Sequence, residues 1–346
     1  MSQLVIKFLN VGQGDSTHIV LPNGDHMLVD INLDPKSRGI DVIQYLADQL
    51  PDGEDSQRLA YFVNTHPHDD HIRGCGQLGN QFEIGEMWES GHRLDCDEGE
   101  NEQYDKFIAL TEDMEEDDAL YQPCSSSETY AEIDGVTFHV FRPSRHVRLD
   151  KNMTAEEKKN RIHDECMVLK MSYAGRSVMI TGDSHLDAWK SIIKHYDDDL
   201  LKCNVLRSSH HCSRTFFKQR CEDDEAWTEH LDVLDPDVIV VSVGSENTHD
   251  HPHDDMLDEY ESRVGVDNVL RTDERFTVVL TIDDDGTMTW EMDDEDFQAE
   301  YELPEPEDDG NDDGGSGARR RGTEGALATA ARIVSKTRLG DKSPTA

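Results

Sequence analysis

Within seven residues, Thr65-His66-Pro67-His68-Asp69-Asp70-His71, the chain carries three imidazoles and a carboxylate in the pattern His-x-His-x-Asp-His. Imidazole nitrogen and carboxylate oxygen are donors that suit zinc, manganese or iron. The apolar run Leu59–Asn64 just before them reads as a strand. A turn at the end of a strand can aim such closely spaced side chains at two nearby points, which is what two divalent cations require. A solvated polar loop is the plain alternative; four donors at this spacing favour metal.

Further donors fall at the ends of other apolar segments. Met179-Ile180-Thr181-Gly182-Asp183 is a strand closing in Gly-Asp, and an aspartate at the lip of a sheet can bridge two cations. Leu206-Arg207-Ser208-Ser209-His210-His211-Cys212-Ser213 is a strand ending in a histidine pair. Asn247-Thr248-His249-Asp250-His251-Pro252-His253 follows the run Val238–Val243, and His163 precedes the strand Cys166–Tyr173.

The elements that must position these residues alternate between strand and helix patterns. Leu4–Leu9, Thr17–Leu21 and Met27–Ile31 read as a meander, with Val11-Gly12-Gln13-Gly14-Asp15-Ser16 and Pro22-Asn23-Gly24-Asp25 as its turns. Gly39–Gln49 has helical spacing of Ile40, Ile43, Leu46 and Ala47, and His185–His195 is also helical. Asp95–Asp118 is an acidic helical or loop insertion, and Val136–Phe141, Ser177–Thr181, Cys203–Ser208 and Phe276–Ile282 are further strands. This intermixing places the fold in the α/β or α+β class. After about Asp293 the composition changes. Residues 294–346 read as an acidic linker, rich in Glu, Asp, Pro and Gly, followed by a basic Ala-rich end with Arg319-Arg320-Arg321; this tail is expected to be disordered.

The 346 residues include 75 acidic and 33 basic side chains, a formal charge of −42, with 13 Lys against 20 Arg. Acid is spread over the whole chain, which points to a surface adapted to high salt, where self-repulsion is screened. Such a charge opposes nucleic-acid binding unless basic residues gather locally. Seven cysteines without a Cys-x-x-Cys pair suggest reduced thiols. No stretch approaches a membrane span and the N-terminus reads as a strand, so the expected location is cytoplasmic, away from the membrane.

From about residue 3 to 290 the chain resembles the metallo-β-lactamase superfamily, and within it the ComEC-type competence-protein metallo-hydrolase domains. The resemblance rests on Asn10 to Ser16, Thr65 to His71, Thr181-Gly182-Asp183, His210-His211-Cys212-Ser213, Asn247 to Pro252 and Leu270-Arg271-Thr272-Asp273. It implies a four-layer αβ/βα sandwich with a dinuclear metal site along one edge. By motif position, His66 and His68 would hold one cation and Asp70 and His71 the other. Asp183 would bridge them, His210 would complete the second site and His163 the first. Two divalent cations are implied, zinc first, with manganese or iron also compatible. His211 is open between a ligand, a substrate contact and a strand-end residue; His251 would protonate a leaving group or contact phosphate. Two positions depart from the family: Asn10 stands for a usual Asp, and Cys212 for the Gly after the histidine pair, where it could crowd the site or act as an oxidisable thiol. The family's transmembrane channel is not seen, so DNA uptake does not carry over.

The chemistry expected of such a site is metal-assisted hydrolysis, with Asp70 orienting the water and His251 assisting the leaving group. Basic residues suggest a phosphodiester, DNA or RNA. Arg142, Arg145, His146, Arg148 and Lys151 cluster; Arg207, Arg214, Lys218 and Arg220 bracket the histidine pair, and Arg207 and Arg214 are the expected substrate contacts; Arg271 and Arg275 follow the His251 segment. A small-molecule ester, thioester or lactam hydrolase, and a non-catalytic metal-binding partner protein, are the alternatives. Oligomeric state is left open by the sequence.

Overall fold

The computed structural model describes residues 2–51, 57–144, 154, 161–219, 225–245 and 247–304. Among the described residues fifteen strands form two sheets. The first contains β1 (Gln3–Phe8), β2 (Thr17–Val20), β3 (His26–Val29), β4 (Arg58–Asn64), β5 (Glu83–Glu89), β6 (Leu120–Tyr121), β14 (Val278–Asp283) and β15 (Met288–Met292), in the order β15-β14-β1-β2-β3-β4-β5-β6. The second contains β7 (Ala131–Ile133), β8 (Val136–Arg142), β9 (Val168–Tyr173), β10 (Arg176–Ile180), β11 (Val205–Arg207), β12 (Val238–Val241) and β13 (Val269–Arg271), in the order β13-β12-β11-β10-β9-β8-β7. Each sheet is antiparallel in one part and parallel in the other: β3 to β6 run parallel in the first, β10 to β13 in the second.

Period-two burial drives the stacking. In β1 the side chains of Leu4, Ile6 and Phe8 are buried while Val5 and Lys7 alternate with them. They pack with Val136, Phe138 and Val140 of β8 and Leu169 and Met171 of β9, so the inner faces of the two sheets share one apolar layer. Helices cover the outer faces. Val42–Gln49, capped by the Asp41 carboxylate, and Glu102–Glu116, capped by Asn101, pack over the first sheet. Leu186–His195 and Asp254–Val264 cover the second, with Trp189, Ile192, Met256 and Tyr260 in contact with Met179, Leu206 and Ile239. The result is the expected four-layer sandwich.

The packed chain runs past the expected boundary at 293. Asp294 caps a helix over Glu295–Tyr301, whose Tyr301 ring lies edge-on to Tyr45 at 5.5 Å, and Leu303 donates its backbone N–H to the Gly39 carbonyl at 3.0 Å. Two aromatic side chains, Phe297 and Tyr301, give this otherwise acidic segment an apolar face to bury. The basic end, 319–338, lies outside the described residues. Among the described residues no helix is long and apolar enough to cross a membrane.

Candidate metal centre

The donors gather where parallel strands end, the position at which α/β sheets present their sites. Beyond β4 the chain turns sharply, and Asp30, just past β3, holds that turn. Its carboxylate accepts from the Thr65 N–H (2.7 Å), the Thr65 hydroxyl (2.7 Å) and the Asn64 amide (3.1 Å), and lies 2.8 Å from His71 Nδ1. The Gln13-Gly14-Asp15 loop closes over the same turn, with Asp15 N–H donating to the Asp70 carbonyl at 3.1 Å. Gly14 is needed here: φ is +137°, and a Cβ would sit 2.7 Å from that carbonyl oxygen. Across the cleft Gly182 has φ +49° and no room for a Cβ beside Thr65, which brings the Asp183 backbone against the first sheet's loop.

Hydrogen bonds then aim the imidazoles. His71 Nδ1 faces the Asp30 carboxylate and His211 Nδ1 the Ser242 carbonyl at 2.9 Å. Both partners can only accept, so each Nδ1 carries the proton and each Nε2 turns inward. His71 Nε2 lies 3.3 Å from Asp183 Oδ1; His211 Nε2 lies 3.2 Å from Asp70 Oδ2 and 3.8 Å from Asp183 Oδ2; His66 Nε2 lies 3.8 Å from Asp183 Oδ2. Donor atoms from His66, His68 and His163 come within 4.8 Å of one another, as do those from Asp15, His71, Asp183 and His211.

Three atoms test whether cations fit. His66 Nε2, His71 Nε2 and Asp183 Oδ1 are buried and have no hydrogen-bond partner. Leaving such groups unsatisfied costs about 1–3 kcal/mol each, and convergent lone pairs from imidazole and carboxylate are what a divalent cation satisfies. The charges agree. Burial would lower His71, yet Asp183, Asp30 and Asp70 hold it well above the ordinary histidine value, so its Nε2 keeps a proton that a bound cation would displace. Burial would raise Asp183, yet His71, His210 and His211 hold it well below the usual carboxylate range, and His71 with His211 holds Asp70 there too. The carboxylates therefore stay ionised, and the positive charge between them is the His71 imidazolium until a cation takes its place. Burial, then the neighbouring imidazoles, keeps His66 and His163 in the neutral, ligating form. The donor set fits divalent cations.

The expected residues His66, His68, Asp70, His71, His163 and Asp183 are brought together. The histidine pair is divided differently from the expectation. His211 faces Asp70 and Asp183, whereas His210, 3.6 Å from Asp183 through Nε2, presents Nδ1 to the Thr215 hydroxyl at 2.8 Å and to His185 Nε2 at 3.1 Å. Both residues have positive φ, 48° and 53°, a turn the sequence does not announce and one that separates two adjacent rings. Arg207 is not a substrate contact: it is 1% exposed, lies against the Asp15 carboxylate and donates to the Gly182 carbonyl at 2.9 Å, tying the two halves of the site together from behind. Arg214 pairs with Asp255 at 2.8 Å, as does Lys218 at 3.1 Å; Arg142 pairs with Glu165, and Arg271 with Asp273. Arg145, His146, Arg148, Lys151 and Arg220 lie outside the described residues. His251 stands at the rim, its ring 5.5 Å from that of His210, with Nδ1 3.5 Å from the Gln13 amide. Cys212, with φ +64°, is buried among the apolar side chains under the second sheet and neither crowds the site nor reaches solvent. Three residues were not foreseen: Asp15, Asp30 and His185. Asp30 follows β3, Asp15 lies two residues before β2 and His185 immediately precedes the helix Leu186–His195, positions that no short-range ligand spacing marks.

Two stacked, half-parallel sheets with helices outside, and a His-x-His-x-Asp-His turn at their shared edge, decide the architecture. The fold is a four-layer αβ/βα sandwich of two mixed sheets. No family model matches the chain. It is 26% identical over 147 residues to ComE operon protein 3 of Bacillus subtilis (strain 168), a stretch that is 42% of this chain and 16% of that protein, so it spans about a sixth of that relative. Among solved structures it is similar to the metallo-β-lactamase fold protein YhfI from Bacillus subtilis, at 13% identity and TM-score 0.44, covering 78% of this chain and 96% of that one. It is similar also to Zn(2+)-bound PqqB from Methylobacterium extorquens, at 12% identity and TM-score 0.44, covering 77% and 87%.

Proposed function

We propose that the protein is a metal-dependent phosphodiesterase, with DNA, RNA or a nucleotide as its substrate class. One cation is assigned to His66, His68, His163 and Asp183, and the other to Asp70, His71, His211 and Asp183. Zinc is the first choice for a set dominated by imidazole, with manganese or iron also compatible. Bound there, the cations supply a water of lowered pKa and positive charge at the attacked centre. Asp70, whose side chain is about a third exposed, is the carboxylate open to an incoming water and is assigned to orient it. Burial pushes His251 down to about 3, so at neutral pH it is an uncharged N–H donor. We assign it contact with a substrate oxygen rather than proton delivery.

The rim carries the choice of a phosphodiester. His251 is flanked by His249 and His253, with ring centroids at 5.7 and 4.9 Å, and by Gln13 and His210, while the Asn247 amide is committed to the Gly244 and His251 carbonyls. Imidazole and amide N–H groups suit anionic oxygens, whereas an acyl or lactam pocket calls for apolar lining. The arginines no longer support the reading, because those described near the site are paired with acids; these pairings favour a short phosphodiester over a long strand. The test is hydrolysis of bis-p-nitrophenyl phosphate, dinucleotides, single- and double-stranded DNA and RNA at high salt, beside p-nitrophenyl acetate and a thioester. Phosphodiester cleavage lost in Asp183→Ala supports the assignment; cleavage of only the ester or thioester overturns it.

A further inference from the structure

His185 has no part in either assigned cation position, yet it stands in a third group of donors. Ligand atoms of His163, His185 and His210 lie within 4.8 Å of one another. The His185 ring is 4.2 Å from that of His163 and 5.1 Å from that of His210, and His163 and His210 are 4.9 Å apart. The elements explain the convergence. His185 is the residue before the helix Leu186–His195, two positions after Asp183; His210 leaves β11, the parallel neighbour of β10; His163 precedes β9. Within this group, His163 Nδ1 is buried without a hydrogen-bond partner.

We propose that His163, His185 and His210 form a third cation site, selective for zinc, beside the two-cation core. The proposal rests on the core assignment above, because His163 belongs to both groups: its ring lies 5.4 Å from His66 and 4.5 Å from His68 as well as against His185 and His210. An imidazole has two ring nitrogens, so His163 serves both sites as a bridging imidazolate, releasing its ring proton to solvent when the third ion binds. The donors of this site are all nitrogen, whereas the core includes carboxylates. Nitrogen donors favour zinc over manganese, while carboxylates accept manganese. The third site therefore fills with zinc and not with manganese. It lies at the rim beside His251, 5.5 Å from His210, where an added positive charge meets a substrate phosphate.

The test is metal stoichiometry of the full chain after equilibration with excess Zn2+ or Mn2+ and gel filtration. The site predicts three zinc but two manganese ions per chain, and two zinc ions in His185→Ala, with an unchanged circular dichroism spectrum. His185→Cys, which offers a thiolate, restores the third equivalent, and with Co2+ it adds a thiolate-to-cobalt charge-transfer band. If His185→Ala fails to fold, the native zinc-to-manganese difference and the cobalt band of His185→Cys still decide. Two zinc ions in the native chain, unchanged in His185→Ala, overturn the third site and leave the core standing. Fewer than two zinc ions in the native chain overturn the core assignment itself.

Discussion

The two sheets build the same site by different means. The first delivers four donors from a single turn after β4, spaced as His-x-His-x-Asp-His and held by one carboxylate, Asp30. The second delivers its donors singly: His163 before β9, Asp183 after β10, His211 after β11 and His251 beyond β12. Its contribution depends on the parallel order β10-β11-β12, which aligns three strand ends at one edge. A local motif survives as a pattern in sequence, whereas a distributed one exists only once the sheet is formed. The contrast predicts that the first half sets affinity through its framework and that the second half, through Asp183, joins the two cation positions.

Asp183→Ala should produce the largest effect. It removes the donor shared by both positions, so bound metal falls by both core equivalents and hydrolysis by about a thousandfold or more, read by elemental analysis and initial rates. Arg207→Met acts on stability rather than metal. It leaves the Asp15 carboxylate buried without its partner, and breaking a buried pair costs about 3–5 kcal/mol, read as a lower urea midpoint; a variant that melts like the native chain would detach Arg207 from the joint between the halves. His211→Ala should lose one core ion and about a hundredfold in rate, while His210→Ala keeps both core ions; the reverse pattern would restore the assignment that the sequence suggested.

Smaller changes sharpen the picture within each half. Asp30→Asn keeps the turn's shape but weakens the acceptor behind His71, and metal affinity should fall about 10–100-fold, measured by competition with a chelator. In the second half, burial, then Arg263, pushes His230 down to about 3 from 6.5. Between those values the unfolded chain binds a proton that the folded chain refuses, so this residue's contribution is present above about pH 6.5 and lost as pH falls towards 3. Melting temperatures of His230→Phe should therefore decline less steeply across that window than those of the native chain.

Local patterns in the sequence reveal the strands and the closely spaced histidines, as in the alternation of β1 and the apolar β4, whereas the four-layer sandwich is implied only by the family resemblance. It does not reveal which of two adjacent histidines faces the core, since that depends on positive φ at His210 and His211. Nor does charge alone distinguish Arg207, sealed against Asp15, from a substrate-binding arginine. The boundary at 293 falls short because acidic composition hides the two aromatic anchors, Phe297 and Tyr301. Asp30 and His185 are single residues at element ends, and only the folded arrangement gives them partners.

The most direct measurement is an anomalous difference map at the zinc edge from crystals of the full chain grown with Zn2+. Two core peaks are expected, one on each side of Asp183 and each about 2.0–2.2 Å from one of its carboxylate oxygens, with His66 and His68 at one and His71 and His211 at the other, besides the third zinc at His163, His185 and His210. A single core peak, or core peaks that Asp183 does not touch, would contradict the shared-carboxylate centre.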